Sequence, residues 1–446
     1  MQSPRTPVSW PAPVAAGPVI GRVSVPGSKS ITNRALLLAA ISDGPSTVTN
    51  VLAARDTSLM IGALESLGAT FANVGQSRMH VTPISKGRQI GSVAIDCGLA
   101  GTVMRFVPAI TGLVAGSVTL DGDAAARRRP MTALISALQQ AGIAVTSKGE
   151  CLPITIEATG AIAGGNISID ASTSSQFVSA LLLAGATYDS GITLTHTGTT
   201  LPSLPHIEMS IAMLREHGVA VIESRTDQWQ WGVAPSAIGA INRTIEPDLS
   251  NALPFIAASV VTAGSTTVND WPTQTTQPGQ LALPILEAMG CTLALAPADG
   301  AHQLTVTGPE RIHSVDVDMS AMGELVPTIA AICFFADGPS RLRGISHIRG
   351  HETDRIAALI DIAERIGAVC RDVDGDLIIE PLHHTQLRAA SDGPTVTIPT
   401  YDDHRLATAG AIIGLRRAHV LVENIATTGK TMPDFPAMWE SLVSAR

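Results

Sequence analysis

Aromatic residues are scarce in this chain: Phe, Trp and Tyr make up 3% of its 446 positions, so its apolar mass is Ala, Val, Ile and Leu. Cysteine is sparse too. Cys97, Cys151, Cys291, Cys333 and Cys370 are scattered, odd in number and without CxxC spacing, which suggests neither a disulfide framework nor a zinc site. Positive charge is in deficit, with a net charge of −9, which argues against a general surface for nucleic acid or another polyanion. No apolar run is as long as a membrane span, and the Pro-rich start MQSPRTPVSWPAPVAAGP lacks the apolar core of a signal peptide. A soluble, cytoplasmic protein is expected, with residues 1–16 as a loose extension. What is present in quantity is aliphatic residue: 45% hydrophobic against 15% charged, enough for large cores, and a length that suggests two domains or more.

The chain is organised around Val25 to Ala40, VPGSKSITNRALLLAA. A strand-like approach turns at Pro26-Gly27, and Ser28-Lys29-Ser30 then leads into an apolar run. Small hydroxyl residues there suit a helix cap. The unpaired N–H groups at the start of such a helix, with Lys29 and Arg34, make a site for an anion, phosphate or carboxylate. It is not a GxxxxGK[ST] loop, because the glycine spacing is absent. An ordinary capped helix with two solvated cations is the competing reading.

Five other segments resemble this one, each with a small or polar opening and then an Ala-rich apolar run. They begin near Gly98, Ser172, Asp248, Met319 and Tyr401, at intervals of roughly 70–80 residues. Between them lie strand-like pieces such as Ser117–Leu120 and Ser340–Arg343, and amphipathic helices such as Leu59–Leu67 and Ala357–Glu364. The pattern predicts a helix–strand–helix–strand–strand unit repeated six times. The Ala-rich helices are apolar on nearly every side and should be buried, with only their N-terminal ends reaching a cleft. The expected fold is α/β, in two similar lobes of three repeated units around parallel buried helices. The first lobe is expected over 27–246, and the second over 17–26 plus 247–446.

The charged residues gather at the helix openings: Lys29 and Arg34, Arg105, Arg129 within RRRPM, Arg355 within HETDR, Arg405 within DDHR, and Lys430. If these face one cleft, they favour a substrate with two or more anionic groups. Glu324 and Glu352 among them are candidates for proton transfer. Each has a bland alternative: Arg127 to Arg129 as a solvated run, His404 as a satisfied structural histidine, Glu324 as an exposed carboxylate.

PGSKSITNRALLLAA, LAGTVMRF, RRRPM, SSQFVSALLLA, HETDR, DDHRLA and KTMPDF occur in this order along nearly the whole chain. In these stretches the chain resembles the enolpyruvyl transferases, most closely the EPSP synthase family. The resemblance implies the inside-out α/β barrel fold of that family, with helix N-termini facing an interlobe cleft. It implies transfer of the enolpyruvyl group of phosphoenolpyruvate to the 5-hydroxyl of shikimate 3-phosphate, on the shikimate pathway to chorismate and the aromatic amino acids. Glyphosate targets this family. No cofactor and no metal is implied. The implied partners are the two small-molecule substrates, with no nucleic acid or membrane, and a monomer is expected.

Carried over by matching motif, Lys29, Ser30, Arg34, Ser174, Ser175, Gln176, Ser203, Glu324, His347 and His351 would serve shikimate 3-phosphate. Lys29, Gly101, Arg105, Arg129, Gln176, Arg355, Arg405 and Lys430 would serve phosphoenolpyruvate. Lys29, Glu324, Glu352 and His351 would be catalytic, with Glu324 a candidate base for the attacking hydroxyl and Glu352 handling the proton at the enolpyruvyl carbon. The chain departs from the family at Leu99 (commonly Asn), His347 (Asn), His351 (often Lys), Glu324 (usually Asp) and His206 (Tyr). The sister enzyme acting on UDP-N-acetylglucosamine typically carries a reactive cysteine in a loop that matches Asp121 to Met131, where this chain has none. A non-catalytic anion binder would not need Glu324 and Glu352.

Overall fold

The structure, a computed structural model, describes residues 9–75, 77–298, 301–382 and 393–445. Two compact units divide it. One runs from Gly27 to Glu246; the other joins the described residues up to Pro26 with those from Pro247 onward. The chain therefore passes between units at 26/27 and again at 246/247.

In chain order the first elements are two short strands, β1 (Trp10–Pro11) and β2 (Ile20–Val23), whose partners lie in the 247–445 segment. The unit 27–246 then opens with α1 (Lys29–Ala40), β3 (Ser46–Thr49), α2 (Arg55–Ser66), β4 (Thr70–Asn73) and β5 (Met79–Thr82). Its second repeat is β6 (Gln89–Asp96), α3 (Gly101–Thr111), β7 (Ala115–Asp121), α4 (Thr132–Gln140), β8 (Ala144–Ser147) and β9 (Ile154–Thr159). Its third is β10 (Gly165–Ile169), α5 (Gln176–Gly185), β11 (Ile192–His196), α6 (Leu204–Glu216), β12 (Val221–Ser224) and β13 (Gln230–Val233). Strand β14 (Asn242–Thr244) returns to pair parallel with β3. Three four-stranded sheets result, ordered β14-β3-β5-β4, β6-β7-β9-β8 and β10-β11-β13-β12.

The other unit repeats the plan. It has α7 (Leu249–Thr262), β15 (Ser265–Val268), α8 (Ala282–Ala288), β16 (Thr292–Ala298) and β17 (Ala301–Thr307), then β18 (Asp316–Asp318), α9 (Val326–Cys333), β19 (Ser340–Arg343), α10 (Arg355–Ile366), β20 (Val369–Val373) and β21 (Asp376–Glu380). Last come β22 (Val396–Ile398), α11 (His404–Arg416), β23 (Val420–Val422) and α12 (Phe435–Ser444). Its sheets are β2-β15-β17-β16, β18-β19-β21-β20 and β22-β23-β1. Each of the six sheets holds one parallel pair, and in four of them, β6/β7, β10/β11, β18/β19 and β22/β23, a buried helix lies between the paired strands in sequence.

The sixth repeat differs from the expectation. Among the described residues no hairpin follows α12. The antiparallel place beside β23 is filled by β1, with Trp10 opposite Val422 and Pro11 opposite Leu421. Ala12 then donates to Val420 O at 2.9 Å and Ala15 to Leu415 O at 3.0 Å. So within residues 1–16, expected to be loose, Trp10–Pro11 form a strand, and Ala12 and Ala15 are held by backbone hydrogen bonds. An exposed β23 edge would leave backbone groups unpaired, and β1 satisfies them. Residues 1–8 lie outside the described residues.

Ala-rich, all-round apolar sequence buries α1, α3, α5, α7, α9 and α11 as expected. Leu36, Leu37 and Leu38 are wholly buried, and all of α9 is inaccessible. Burying one Leu side chain contributes about 1.5–3 kcal/mol, so each such helix is anchored by packing rather than by propensity. Each unit has its own apolar core. Among the described residues no helix is long and apolar enough to cross a membrane.

Candidate active site

The polar groups at the helix openings fall into one cluster on each unit. On unit 27–246, Ser28 caps α1, its Oγ accepting from Ile31 N at 3.5 Å. Lys29 is the first helical residue, and its Nζ lies 3.5 Å from Asp56 Oδ2. Arg34, one turn on, is turned inward and 1% exposed. Its guanidinium donates to Ser210 Oγ (2.8 Å), Ser30 O (3.1 Å), Ser179 Oγ (3.3 Å) and His206 O (3.0 Å), and lies over the Phe106 ring. Burial pushes its pKa down to about 9. These bonds tie Ser30 to α5 and α6, so Arg34 fixes the α1 opening from behind.

Beside it, the start of α3 approaches two guanidinium groups. A Cβ at Gly101 would sit 3.1 Å from Gln176 Oε1 and 3.2 Å from Arg129 NH1, contacts tighter than most side chains tolerate. Arg105 NH1 donates to Gln176 Oε1 at 2.7 Å, and the Arg105 side chain stacks over Phe177. Burial, and then the Arg129 charge, push the Arg105 pKa well below its ordinary value. Its Nε has no partner among the described residues. Two like charges held close together are costly, and an anion between them would relieve the cost. Of the RRR run only Arg129 turns this way. Arg127 pairs with Asp121 and Arg128 with the Ala124 carbonyl. Ser174 and Ser175 precede α5 at the same opening, where Ser174 Oγ accepts from Gln176 N at 3.4 Å. Ser203, at the α6 cap, is held at φ +55°, a strained conformation for a non-glycine residue and common at functional sites.

On the other unit, Arg355 opens α10 with a nearly inaccessible side chain. Its Nε and NH2 donate to the two oxygens of Asp403 at 2.7 and 3.1 Å. Burial disfavours its charge, but the Asp403 carboxylate outweighs this and raises its pKa. Arg355 NH1 is 3.0 Å from His351 Nδ1. A guanidinium can only donate, so Nδ1 accepts and the His351 ring proton sits on Nε2. Asp403 caps α11, its Oδ1 accepting from Arg405 N at 2.8 Å, and the Arg405 side chain donates to Ser250 O. Tyr401 and Asp402 enter this cap at φ +52° and +57°, two successive left-handed residues. Asn424 and Thr427 hold them by bonds to Asp402.

Glu352 is gripped at both oxygens: Lys430 Nζ is 2.6 Å from Oε1, and His404 Nδ1 is 3.1 Å from Oε2. Burial lowers the pKa of His404, with the Glu352 charge opposing, and against that carboxylate Nδ1 donates. Glu324 lies in the 3-10 turn Gly323–Leu325 before α9. A side chain at Gly323 would run into His347, and the His347 and His351 rings meet edge to face at 5.6 Å. Burial lowers the His347 pKa, against the Glu324 charge. Glu352, Asp403 and His404 also lie close enough to hold a metal ion. Their carboxylates already pair with Lys430 and Arg355, however, which is the arrangement of an ion-pair network and not of a cation cage.

The family described as EPSP synthase (3-phosphoshikimate 1-carboxyvinyltransferase) matches residues 14–439. The chain belongs to the EPSP synthase family. A curated 3-phosphoshikimate 1-carboxyvinyltransferase of Kocuria rhizophila is 48% identical over 446 residues, covering 98% of this chain and 97% of that protein. Among solved structures, an EPSP synthase from Acinetobacter baumannii superposes with TM-score 0.75 at 21% identity, covering 97% of each chain. The enolpyruvyl transferase NikO from Streptomyces tendae does so with TM-score 0.70 at 16% identity, covering 96% of each. At these identities the two structures speak for the fold alone, and it is the enolpyruvyl transferase fold that the resemblance implies.

Within this family frame, the structure groups Lys29, Ser30 and Arg34 with the Ser210, Ser179 and His206 backbone region, and Gly101, Arg105, Arg129 and Gln176 with one another. It groups Glu324, His347, His351, Arg355, Glu352, Arg405 and Lys430 around Asp403 and His404. Leu99 is buried in the apolar core of its unit. Cys97, Cys291, Cys333 and Cys370 are buried, and their thiols are pushed up to about 12, so none is a poised nucleophile. Sequence reading missed Asp56, Asp403 and the contact of His404 with Glu352. The signals were legible: an acid in the first turn of α2, and acid and histidine at a helix cap within DDHR.

Proposed function

We propose that this chain transfers the enolpyruvyl group of phosphoenolpyruvate to the 5-hydroxyl of shikimate 3-phosphate, releasing phosphate. The observation that carries this is the 48% identity, over nearly the full length, to a curated 3-phosphoshikimate 1-carboxyvinyltransferase. Two cation-rich openings with a carboxylate gripped between Lys430 and His404 support it chemically.

Arg105, Arg129, Gln176, Arg355, Arg405 and Lys430, with the backbone at Gly101, hold phosphoenolpyruvate. Ser30, Arg34, Ser174, Ser175, Gln176, Ser203, His347 and His351 hold or orient shikimate 3-phosphate. Lys29 meets both. Glu352 and its partners add a proton to the methylene carbon, and positive charge builds on the neighbouring carbon. Glu324 takes the proton of the attacking hydroxyl. The tetrahedral intermediate then loses phosphate into the cation set as its methyl group returns a proton to Glu352. Acid–base steps of this kind supply about 10²–10⁴ each, and a preorganised charge set supplies more. The enzyme acts as a cytoplasmic monomer without nucleic acid or membrane, which sedimentation of the purified chain checks.

The test is phosphate release from phosphoenolpyruvate. Release only with shikimate 3-phosphate supports the reading. Release with UDP-N-acetylglucosamine instead would assign the sister activity, and release with neither would leave an anion binder.

A further inference from the structure

A buried carboxylate outside the groups assigned above stands against Lys29. Asp56 is the second residue of α2 and is 1% exposed. Its Oδ2 accepts no hydrogen bond among the described residues and lies 3.5 Å from Lys29 Nζ. An unpaired buried carboxylate is costly, so the ammonium and the positive end of α2 together account for its presence. The same helix start reaches further. Arg55 donates to Asp123 Oδ2 at 2.9 Å, and Asp123 N donates to Gly98 O at 2.9 Å. Asp123 belongs to the stretch that carries Arg129, and Gly98 to the turn before Gly101. The α2 opening thus ties Lys29 of the first repeat to the Gly98 turn and the Asp123 stretch of the second.

We propose that Asp56 is a positioning residue for Lys29: its carboxylate fixes the ammonium where it meets the anionic substrates and is the counter-charge an incoming phosphate supplants. This rests on reading Lys29 as a substrate-binding cation. At 3.5 Å the pair is held by charge and not by a short hydrogen bond, so the ammonium can turn toward an anion while still paired. Asp56 has two opposed effects. It holds Lys29 in place, and it repels the substrate's negative charge.

That opposition gives a signature that general loss of structure would not. Removing the charge in Asp56→Asn should leave KM for both substrates unchanged or lower while kcat falls about tenfold or more, since a misplaced catalytic group can cost up to about 10²-fold. In a cycle with Lys29→Met, the double variant should be no slower than Lys29→Met alone, because Asp56 acts through Lys29. A raised KM with unchanged kcat, or losses that simply multiply, would overturn the proposal. Thermal unfolding gives an arm independent of activity. Lys29→Met strands the carboxylate, so adding Asp56→Asn should raise its thermal midpoint, and no rise would contradict the pairing. Wild-type protein runs alongside. If it releases no phosphate with shikimate 3-phosphate, the functional reading fails and the unfolding arm still decides the pairing; an active wild type with an unaltered Asp56→Asn defeats this inference alone.

Discussion

Replacing Asp403 by Asn probes the pair that anchors the second cluster. Arg355 and Asp403 are both buried and joined by two bonds of 2.7 and 3.1 Å. Asn keeps the shape and can still cap α11, so the Arg405 N–H contact survives at a cost of a few tenths of a kcal/mol or about zero. What is lost is the charge opposite a buried guanidinium. Breaking such a pair from one side costs about 3–5 kcal/mol, because the remaining charge is left uncompensated. The unit containing residues 247–445 should therefore unfold at clearly lower urea. Because Arg355 is a proposed phosphoenolpyruvate group, a tenfold rise in KM for that substrate would accompany each ~1.4 kcal/mol of lost binding. Trp10, Trp271 and Trp439 lie in this unit and report its unfolding by fluorescence. Converting both partners, in Asp403→Asn/Arg355→Met, should recover much of the stability without recovering the KM. A loss below about 1 kcal/mol in Asp403→Asn, or a double variant no more stable than the single, would refute the claim that this pair holds Arg355 in place.

Glu352→Gln keeps two hydrogen-bonding atoms between Lys430 and His404 but cannot move a proton; phosphate-release kinetics should show kcat down by about 10²–10⁴ with KM little changed. Burial lowers the pKa values of His217, His347 and His404 from 6.5. Below that pH the unfolded chain takes up protons that the folded one refuses, so stability is full above pH 6.5 and is lost as pH falls through the lowered values; thermal midpoints at about pH 7.5 and about pH 5.5 should show the drop, and a flat profile would contradict it. Deleting residues 1–13 removes β1 and uncovers β23, so the thermal midpoint should fall by several degrees, and an unchanged midpoint would mean that the strand contributes nothing.

Much of the fold was legible because the repeat writes itself in two periods. All-round apolar runs such as Ala35–Ala40 read as buried helices, and Gly after most of the amphipathic helices marks their ends. Individual strand partners were not legible: residues 17–26 were assigned to the second lobe, but that β2 lies against β15 in particular, or β1 against β23, depends on contacts across hundreds of residues. The site was legible where chemistry needs charge at a helix start, as at Lys29 and Arg355. Partners whose role comes only from packing escaped. Asp56 reads as an ordinary first-turn acid, and nothing local to Arg34 shows that its guanidinium also ties together Ser179, Ser210 and two carbonyls.

The central claim is proton addition and removal at one carbon. Running the reaction in deuterium oxide and reading the product's methylene group by mass spectrometry tests it most directly. The account predicts deuterium in the enolpyruvyl ether, because a methyl group forms and gives up one of its three hydrogens. Turnover to the ether without deuterium in that group would contradict it.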